Sequence, residues 1–565
     1  MPLQFVLGRA GSGKSEYCVK QAAQAEEKGL RTLMIVPEQY SHQGESAFLN
    51  EKGYIHDDFN VTSFGRLAKK LIAGAGLNHN STDGAGKAML VLRAFGSCKN
   101  KLVFYRTAAD KQGLIRLFMD AVSELKKGQV PPEALRAAAE KTEEHLFSAR
   151  LRDLSYIYEA YNKLLSESIS DSDDNLTLMA SLCFDSDYIK NANIFIDEFY
   201  RFTQNELACI EAFLAVGASV TVALTMPGEH VPPNSVFASA NNTKKALERI
   251  AQNVGAKDLP PVVLNLAPRF SSPELSVLEQ AMSGKKAVWK TDAPADVSLY
   301  VAKGKYEEVV YAAAAIKKFV KETGASYREI AVITGDYDGY ADLVQSVFPL
   351  YDIPVFADTR RDFLNHPIVL YLFSLFDLLS GVTTKRVTAY MKSGFADISE
   401  EEAFRLENYA LAGAVEFGDW LSDERFLRKA RGVFDSEDAQ TDEAVSCLEV
   451  KNRLLKSVLL LKETITAAKT VGGRIAAFLS FFEATHLQEK IEQLISKFQA
   501  EGLLRQADEY TEVYNILTQT FSLMEELLGN ETIGLSGMRA ILEAGLSQKS
   551  IGVIPTVYDQ VSFGD

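Results

Sequence analysis

Paired cysteines are missing from this sequence. Its five cysteines, Cys18, Cys98, Cys183, Cys209 and Cys447, are scattered, and no C-x-x-C occurs. That spacing argues against a zinc ribbon, an iron–sulfur cluster or a disulfide framework within the chain. Isolated reduced thiols are expected instead. No apolar run reaches the roughly 20 residues that a membrane span needs. The start, "MPLQFVLGRAG", carries no signal peptide, so a cytoplasmic chain without a membrane partner is expected. Excess positive charge is absent too: 60 Lys and Arg face 75 Asp and Glu, a formal charge of −15. An acidic chain is a poor non-specific nucleic-acid binder as a whole, so any nucleic-acid surface must be a local patch. Short repeats and low-complexity tracts are also lacking. What remains is ordinary globular composition, 47% hydrophobic and 24% charged. The 565 residues exceed the roughly 250–300 at which one core stops growing, which implies several domains.

The most informative stretch is "LGRAGSGKSE", residues 7–16. Gly8, Gly13, Lys14 and Ser15 satisfy G-x-x-x-x-G-K-[ST], a phosphate-binding loop. Glycines let backbone N–H groups curl around phosphate oxygens with no Cβ in the way. The whole loop, Gly8, Arg9, Ala10, Gly11, Ser12, Gly13, Lys14 and Ser15, is the candidate ATP site. Lys14 supplies a point charge for the β- and γ-phosphates, Ser15 a hydroxyl for Mg²⁺, and the following helix its positive end. The flanks fit: "LQFVL" reads as a strand, "SEYCVKQAAQAEEKG" as a helix closed by Gly29, and "RTLMIVPE" as a second buried strand. A chance match in a glycine-rich turn is the bland alternative.

Such a loop needs a carboxylate on a neighbouring strand. "NANIFIDEFYRFTQNE" supplies an apolar strand ending in Asp197 and Glu198. Asp197 would hold Mg²⁺, and Glu198 would orient or deprotonate the attacking water. Alone this is a weak signal, usually a plain strand end; the loop strengthens it. A nucleotide kinase would be shorter, with an arginine-rich lid. An ABC ATPase needs its signature before the Asp-Glu strand, and the only similar stretch, "GLSGM" at 534–538, comes far after it.

The order of segments resembles superfamily 1 helicases of the UvrD type. "FNVTSFGRLAKKLI" (59–72) is similar to their T-F-H-S segment, which touches single-stranded DNA, and marks Thr62, Ser63, Phe64 and Arg66. "LAPRFSSPEL" (266–275) is similar to their N-Y-R-S segment and places Arg269 toward the γ-phosphate. "VPEQYSHQGE", "DEFYRFT" and "PTVYDQVSFGD" together resemble the AddB (RexB-like) family of bacterial AddAB helicase–nucleases. The resemblance covers essentially the whole chain. It implies an α/β fold: two RecA-like P-loop motor lobes, each a doubly wound parallel sheet with a largely helical insertion. It implies ATP and Mg²⁺ as cofactors, an AddA-type helicase–nuclease partner in a heterodimer, and single- or double-stranded DNA ends as further partners. It implies scanning for a Chi-type hotspot. Such proteins are roughly twice this long, so the chain is expected to be an N-terminal fragment. The nuclease and its 4Fe–4S cluster would lie beyond Asp565. Departures include Tyr200 in place of a motor glutamine and a missing G-D-x-x-Q segment near 220–230, which leave open a degenerate motor that binds DNA with ATP as a slow switch. An ATPase unrelated to DNA is a third alternative.

The resemblance sets boundaries: domain 1A at 1–78 and 188–290, insertion 1B at 79–187, domain 2A at 291–365 and 549–565, and insertion 2B at 366–548. The last lacks strand signals and shows apolar residues at helical spacing. Residues 87–127 hold nine Lys and Arg against three Asp and Glu, interleaved with Phe95, Phe104, Tyr105 and Phe118. Basic residues track phosphates and aromatics stack bases. A solvated helical insertion with its aromatics packed inward is the even alternative. Arg360 and Arg361 are a second basic pair, readable either as strand contacts or as plain surface charge.

Overall fold

The computed structural model describes residues 2–40, 44–45, 59–77, 80–82, 84–106, 112–165, 169–171, 173–270, 272–284, 296–357, 361–428, 437–551 and 559–564. Lys111, Arg360 and most of the linker "KTDAPADVS" lie outside the described residues. The chain forms two compact units. Unit 1 holds residues 1–82, 101–104 and 117–300; unit 2 holds 83–100, 105–116 and 301–565.

Unit 1 is built on a parallel sheet. Its strands are β1 (Pro2–Gly8), β2 (Thr32–Ile35), β3 (Phe59–Thr62), β4 (Asn193–Ile196), β5 (Ser219–Thr225), β6 (Lys257–Asp258) and β7 (Val262–Leu264). The order is β3-β2-β4-β5-β1, with β6 and β7 both on the outer edge of β1. Every pairing is parallel. The central strands are apolar runs because both faces are covered, as parallel sheets require. Leu3, Phe5 and Leu7 join one layer with Ile194, Ile196, Val220 and Val222. Against it lie α2 (Phe64–Gly74), through Phe64 and Leu67, and α3 (Gln204–Ala215), through Ile210 and Phe213. The alternate residues Val6, Met34, Phe195 and Ala223 face the other way, onto Cys18, Val19, Ala22 and Ala23 of α1 (Lys14–Glu27).

Unit 2 carries a second parallel sheet. In it β10 (Val561–Gly564) lies between β8 (Ala331–Ile333) and β9 (Val355–Ala357). Its remainder is a helical body whose core includes Tyr371, Phe376, Tyr390, Tyr409 and Trp420. Buried polar tips there are satisfied: the Trp420 indole donates to Thr384 Oγ1 at 2.9 Å, and Tyr409 donates to the Phe426 carbonyl at 2.8 Å. Helix Gly84–Cys98, within the 79–187 segment, packs in this unit against helix Leu535–Leu546. The molecule is thus α/β, with parallel sheets and extensive helical additions. Among the described residues no helix is long and apolar enough to cross a membrane.

Candidate functional site

The phosphate loop sits at the C-terminal end of β1. Gly11 and Gly13 have φ of 69° and 84°, conformations that side-chain-bearing residues seldom adopt. A Cβ on Gly8 would collide with Ser12 Oγ. Gly13 is the N-cap of α1, so the first N–H groups of that helix point into the loop. The Lys14 ammonium donates to the Arg9 carbonyl at 3.1 Å, folding its stem back across the loop.

One strand, β5, separates β1 from β4. At about 4.8 Å per strand, the loop and the end of β4 stand roughly 10 Å apart, room for a phosphate and a cation. Asp197 and Glu198 follow β4. The Glu198 N–H donates to Asp197 Oδ1 at 2.8 Å, and Glu198 has φ of 65°. Asp197 is 2% exposed, and its Oδ2 is buried without a hydrogen bond. Ser15 Oγ donates to Glu198 Oε1 at 2.9 Å. Burial pushes the Asp197 carboxyl up and the neighbouring Glu198 charge adds to it, against the opposing pull of the Ser15 hydroxyl, the Glu198 N–H and the Lys14 ammonium. Burial also pulls the Lys14 ammonium down, opposed by Asp197 and Glu198 and assisted by Arg269.

Lys14, Ser15 and Glu198 share one cavity of about 480 Å³, walled by Ala10 to Glu16 with Glu198, Tyr200, Thr225, Pro268 and Arg269; Asp197, buried, is not part of its wall. Arg269 reaches the loop because its N–H donates to the Gly11 carbonyl at 3.3 Å. Tyr200, in the place of the motor glutamine, is 71% exposed at the rim. Thr225 was not singled out from the sequence; its place at the C-terminal end of the strand beside β1 was the available signal. The residues fit an ATP–Mg²⁺ site: an unsatisfied buried carboxylate oxygen stands beside a hydroxyl and a ring of backbone N–H groups. Among the described residues no group of three or more His, Cys, Asp and Glu stands ready for a metal.

The segment Thr62 to Arg66 lies at the junction of β3 and α2. Thr62, Ser63 and Phe64 are buried. Ser63 caps α2, accepting from the Arg66 N–H at 3.2 Å. The Phe64 ring packs edge-on against Phe199 at 5.6 Å and stacks on Phe213 at 6.4 Å. Arg66 alone of the four is exposed, with its guanidinium 3.8 Å from Glu38. Within the basic stretch, Lys87, Phe95, Phe118 and Lys126 are buried. Lys126 bonds Asp171 at 3.0 Å and Asp174 at 2.6 Å. Arg93 pairs with Glu531. Lys99, Lys101, Arg106 and Arg116 remain exposed.

Residues 5–279 match the family described as ADDB, N-terminal. The chain is 31% identical to the B component of the ATP-dependent helicase/deoxyribonuclease of Clostridium acetobutylicum, over 100% of this chain and 50% of that protein. The proteins of the same name from Clostridium botulinum and Acetivibrio thermocellus are 30% and 32% identical, with the same coverage. The chain therefore spans about half the length of the curated relatives it matches. On this family match and these full-chain alignments, the chain belongs to the AddB family.

Proposed function

We propose that the protein is the helicase-like part of an AddB-type helicase–nuclease component, binding ATP–Mg²⁺ and single-stranded DNA during the processing of double-strand breaks for recombinational repair. The observation that carries this is the cavity shared by residues 10–15 of the loop, Glu198 and Arg269; next to Glu198 in the chain, the buried Asp197 keeps a carboxylate oxygen without a hydrogen bond. Backbone N–H groups of the loop would bind the phosphates, with Lys14 adding charge. Ser15 and Asp197 would hold Mg²⁺, which neutralises charge on the phosphate oxygens. Glu198 would orient or deprotonate water, and Arg269 would meet the γ-phosphate. Arg66 would touch the DNA backbone, while Thr62, Ser63 and Phe64 would hold its segment in shape. The two sheets would be motor lobes 1A (1–78, 188–290) and 2A (291–365, 549–565), with insertions 1B (79–187) and 2B (366–548). An AddA-type helicase–nuclease would be the partner, the cytoplasm the compartment, and a Chi-type hotspot the scanned sequence.

A second reading has two departures behind it. Tyr200 stands in the place of the glutamine of the related motors' D-E-F-Q, and their G-D-x-x-Q segment, which couples ATP to DNA, has no counterpart near 220–230, so the site would bind ATP as a slow structural switch. ATP hydrolysis with and without single-stranded DNA, beside Lys14→Ala, separates the two. DNA-stimulated turnover lost in Lys14→Ala supports a live motor. Lys14-dependent binding without turnover supports the switch. Nucleotide binding indifferent to Lys14 overturns both.

A further inference from the structure

Arg9 belongs to the phosphate loop by sequence, yet its side chain leaves the loop. Its main-chain carbonyl stays inside, accepting from Lys14 Nζ at 3.1 Å and from the Ser12 N–H at 3.3 Å. Its guanidinium turns outward to Glu279, with Nη1 2.7 Å from Oε2, and the two side chains are only 14% and 12% exposed. Glu279 lies on α4 (Pro273–Met282), the helix that follows Arg269 in the chain. That helix buries none of its residues. Of its large apolar members Leu275, Leu278 and Met282 are 37%, 45% and 69% exposed, and only Val277 is half-buried. Hydrophobic packing therefore does little to fix α4, and polar contacts must.

Two contacts tie the same segment to the loop. The Arg269 N–H donates to the Gly11 carbonyl. A Cβ on Gly11 would stand 3.0 Å from Arg269 Cβ and 3.1 Å from the Phe270 ring, so the approach depends on a bare glycine. Arg269 is thus held from both sides, by Gly11 before it and by the helix that Glu279 anchors after it.

We infer that the Arg9–Glu279 pair is a strut that sets Arg269 against the phosphate loop, making Glu279 a positioning residue for the discrimination of nucleoside triphosphate from diphosphate. This rests on the reading of the loop as an ATP site. Arg9 then acts through its partner and adds no charge to the phosphates. The strut removes a freedom that Arg269, on an exposed connection, would otherwise keep, and a contact to the terminal phosphate is strong only if its donor is already in place.

The test measures the affinities of fluorescent ATP and ADP analogues for the protein and its variants and compares their ratio. Arg269→Ala should lower the preference for ATP about tenfold, the scale of one lost charge-assisted contact. Glu279→Gln should lower it comparably, and combining the two should lower it no further. The swapped pair Arg9→Glu with Glu279→Arg should recover much of the preference. A purely structural loss would weaken both nucleotides in parallel and leave the ratio unchanged, which overturns the inference. So does a wild-type ratio in Glu279→Gln or in Arg269→Ala. Binding that survives Lys14→Ala unchanged marks a different failure, that of the ATP-site reading itself.

Discussion

Ser15 donates its hydroxyl to the Glu198 carboxylate across 2.9 Å, joining the end of the phosphate loop to a residue 183 positions later in the chain. Glu198 achieves this from a left-handed backbone, φ 65°, which costs a side-chain-bearing residue roughly 1–2 kcal/mol. The two acids are divided: Glu198 lines the cavity with the loop, and Asp197 is buried outside its wall. Glu198→Gln keeps an acceptor for Ser15 while removing the base. Nucleotide affinity should stay within about twofold, and any DNA-stimulated hydrolysis should fall by about a hundredfold or more. Steady-state phosphate release and a binding titration check both halves.

Asp197 should cost the empty protein stability. Its carboxyl is raised by burial, so the folded state holds its proton more tightly than the unfolded chain. Above the unfolded value the buried charge is a penalty that grows as pH rises, reaching its full size once pH passes the folded value. Asp197→Asn removes that penalty at neutral pH. The melting temperature without nucleotide should rise by about 2 °C, while Mg²⁺-dependent nucleotide binding weakens. A melt with and without ATP–Mg²⁺ measures both.

Lys126 sits in the basic stretch but is buried on Asp171 and Asp174, with Tyr161 also donating to Asp171 at 2.7 Å. Removing it leaves Asp171, 1% exposed, without its cation. Lys126→Met should cost about 3–5 kcal/mol in denaturant unfolding. It should leave the salt dependence of DNA binding unchanged. Lys99→Ala and Arg116→Ala should show the reverse pattern, near-neutral stability and a salt slope shallower by about one each.

His366 makes the helical body of unit 2 sensitive to acid. It begins helix Pro367–Ser380, its Nδ1 accepting from the Ile368 N–H at 3.3 Å, and its ring packs edge-on against Tyr510. Burial lowers its pKa from 6.5 to about 4. Between those values the unfolded chain binds the proton and the folded one does not. Stability is therefore full above pH 6.5 and lost as pH falls toward 4, by at most about 1.4 kcal/mol per pH unit. His366→Asn retains a capping acceptor and should flatten this slope in denaturant titrations between pH 4 and 7.

The extent of what could be read in advance follows the range of each interaction. Strand, glycine turn and helix at 2–27 were legible because each step is contiguous: Gly11 and Gly13 have the positive φ that a tight turn demands, and β1, β2 and β4 are the apolar runs that a doubly covered parallel sheet requires. The Asp197-Glu198 strand end was legible for the same reason. Phe64 was not. Its ring fills a cluster with Phe199, Phe202 and Phe213, and nothing near it in sequence foretold those neighbours.

The sequence by itself determined the local geometry of the phosphate loop, the parallel α/β class and the AddB family. Backbone freedom, strand apolarity and residue spacing are all written within short windows of chain. Only the tertiary structure decided which charges are spent internally. Whether Lys126 faces solvent or Asp171, and whether Arg9 faces the loop or Glu279, depends on partners 45 and 270 residues away. Such choices belong to the packed molecule, because a charge withdrawn from water must find its counter-charge wherever the fold has placed one.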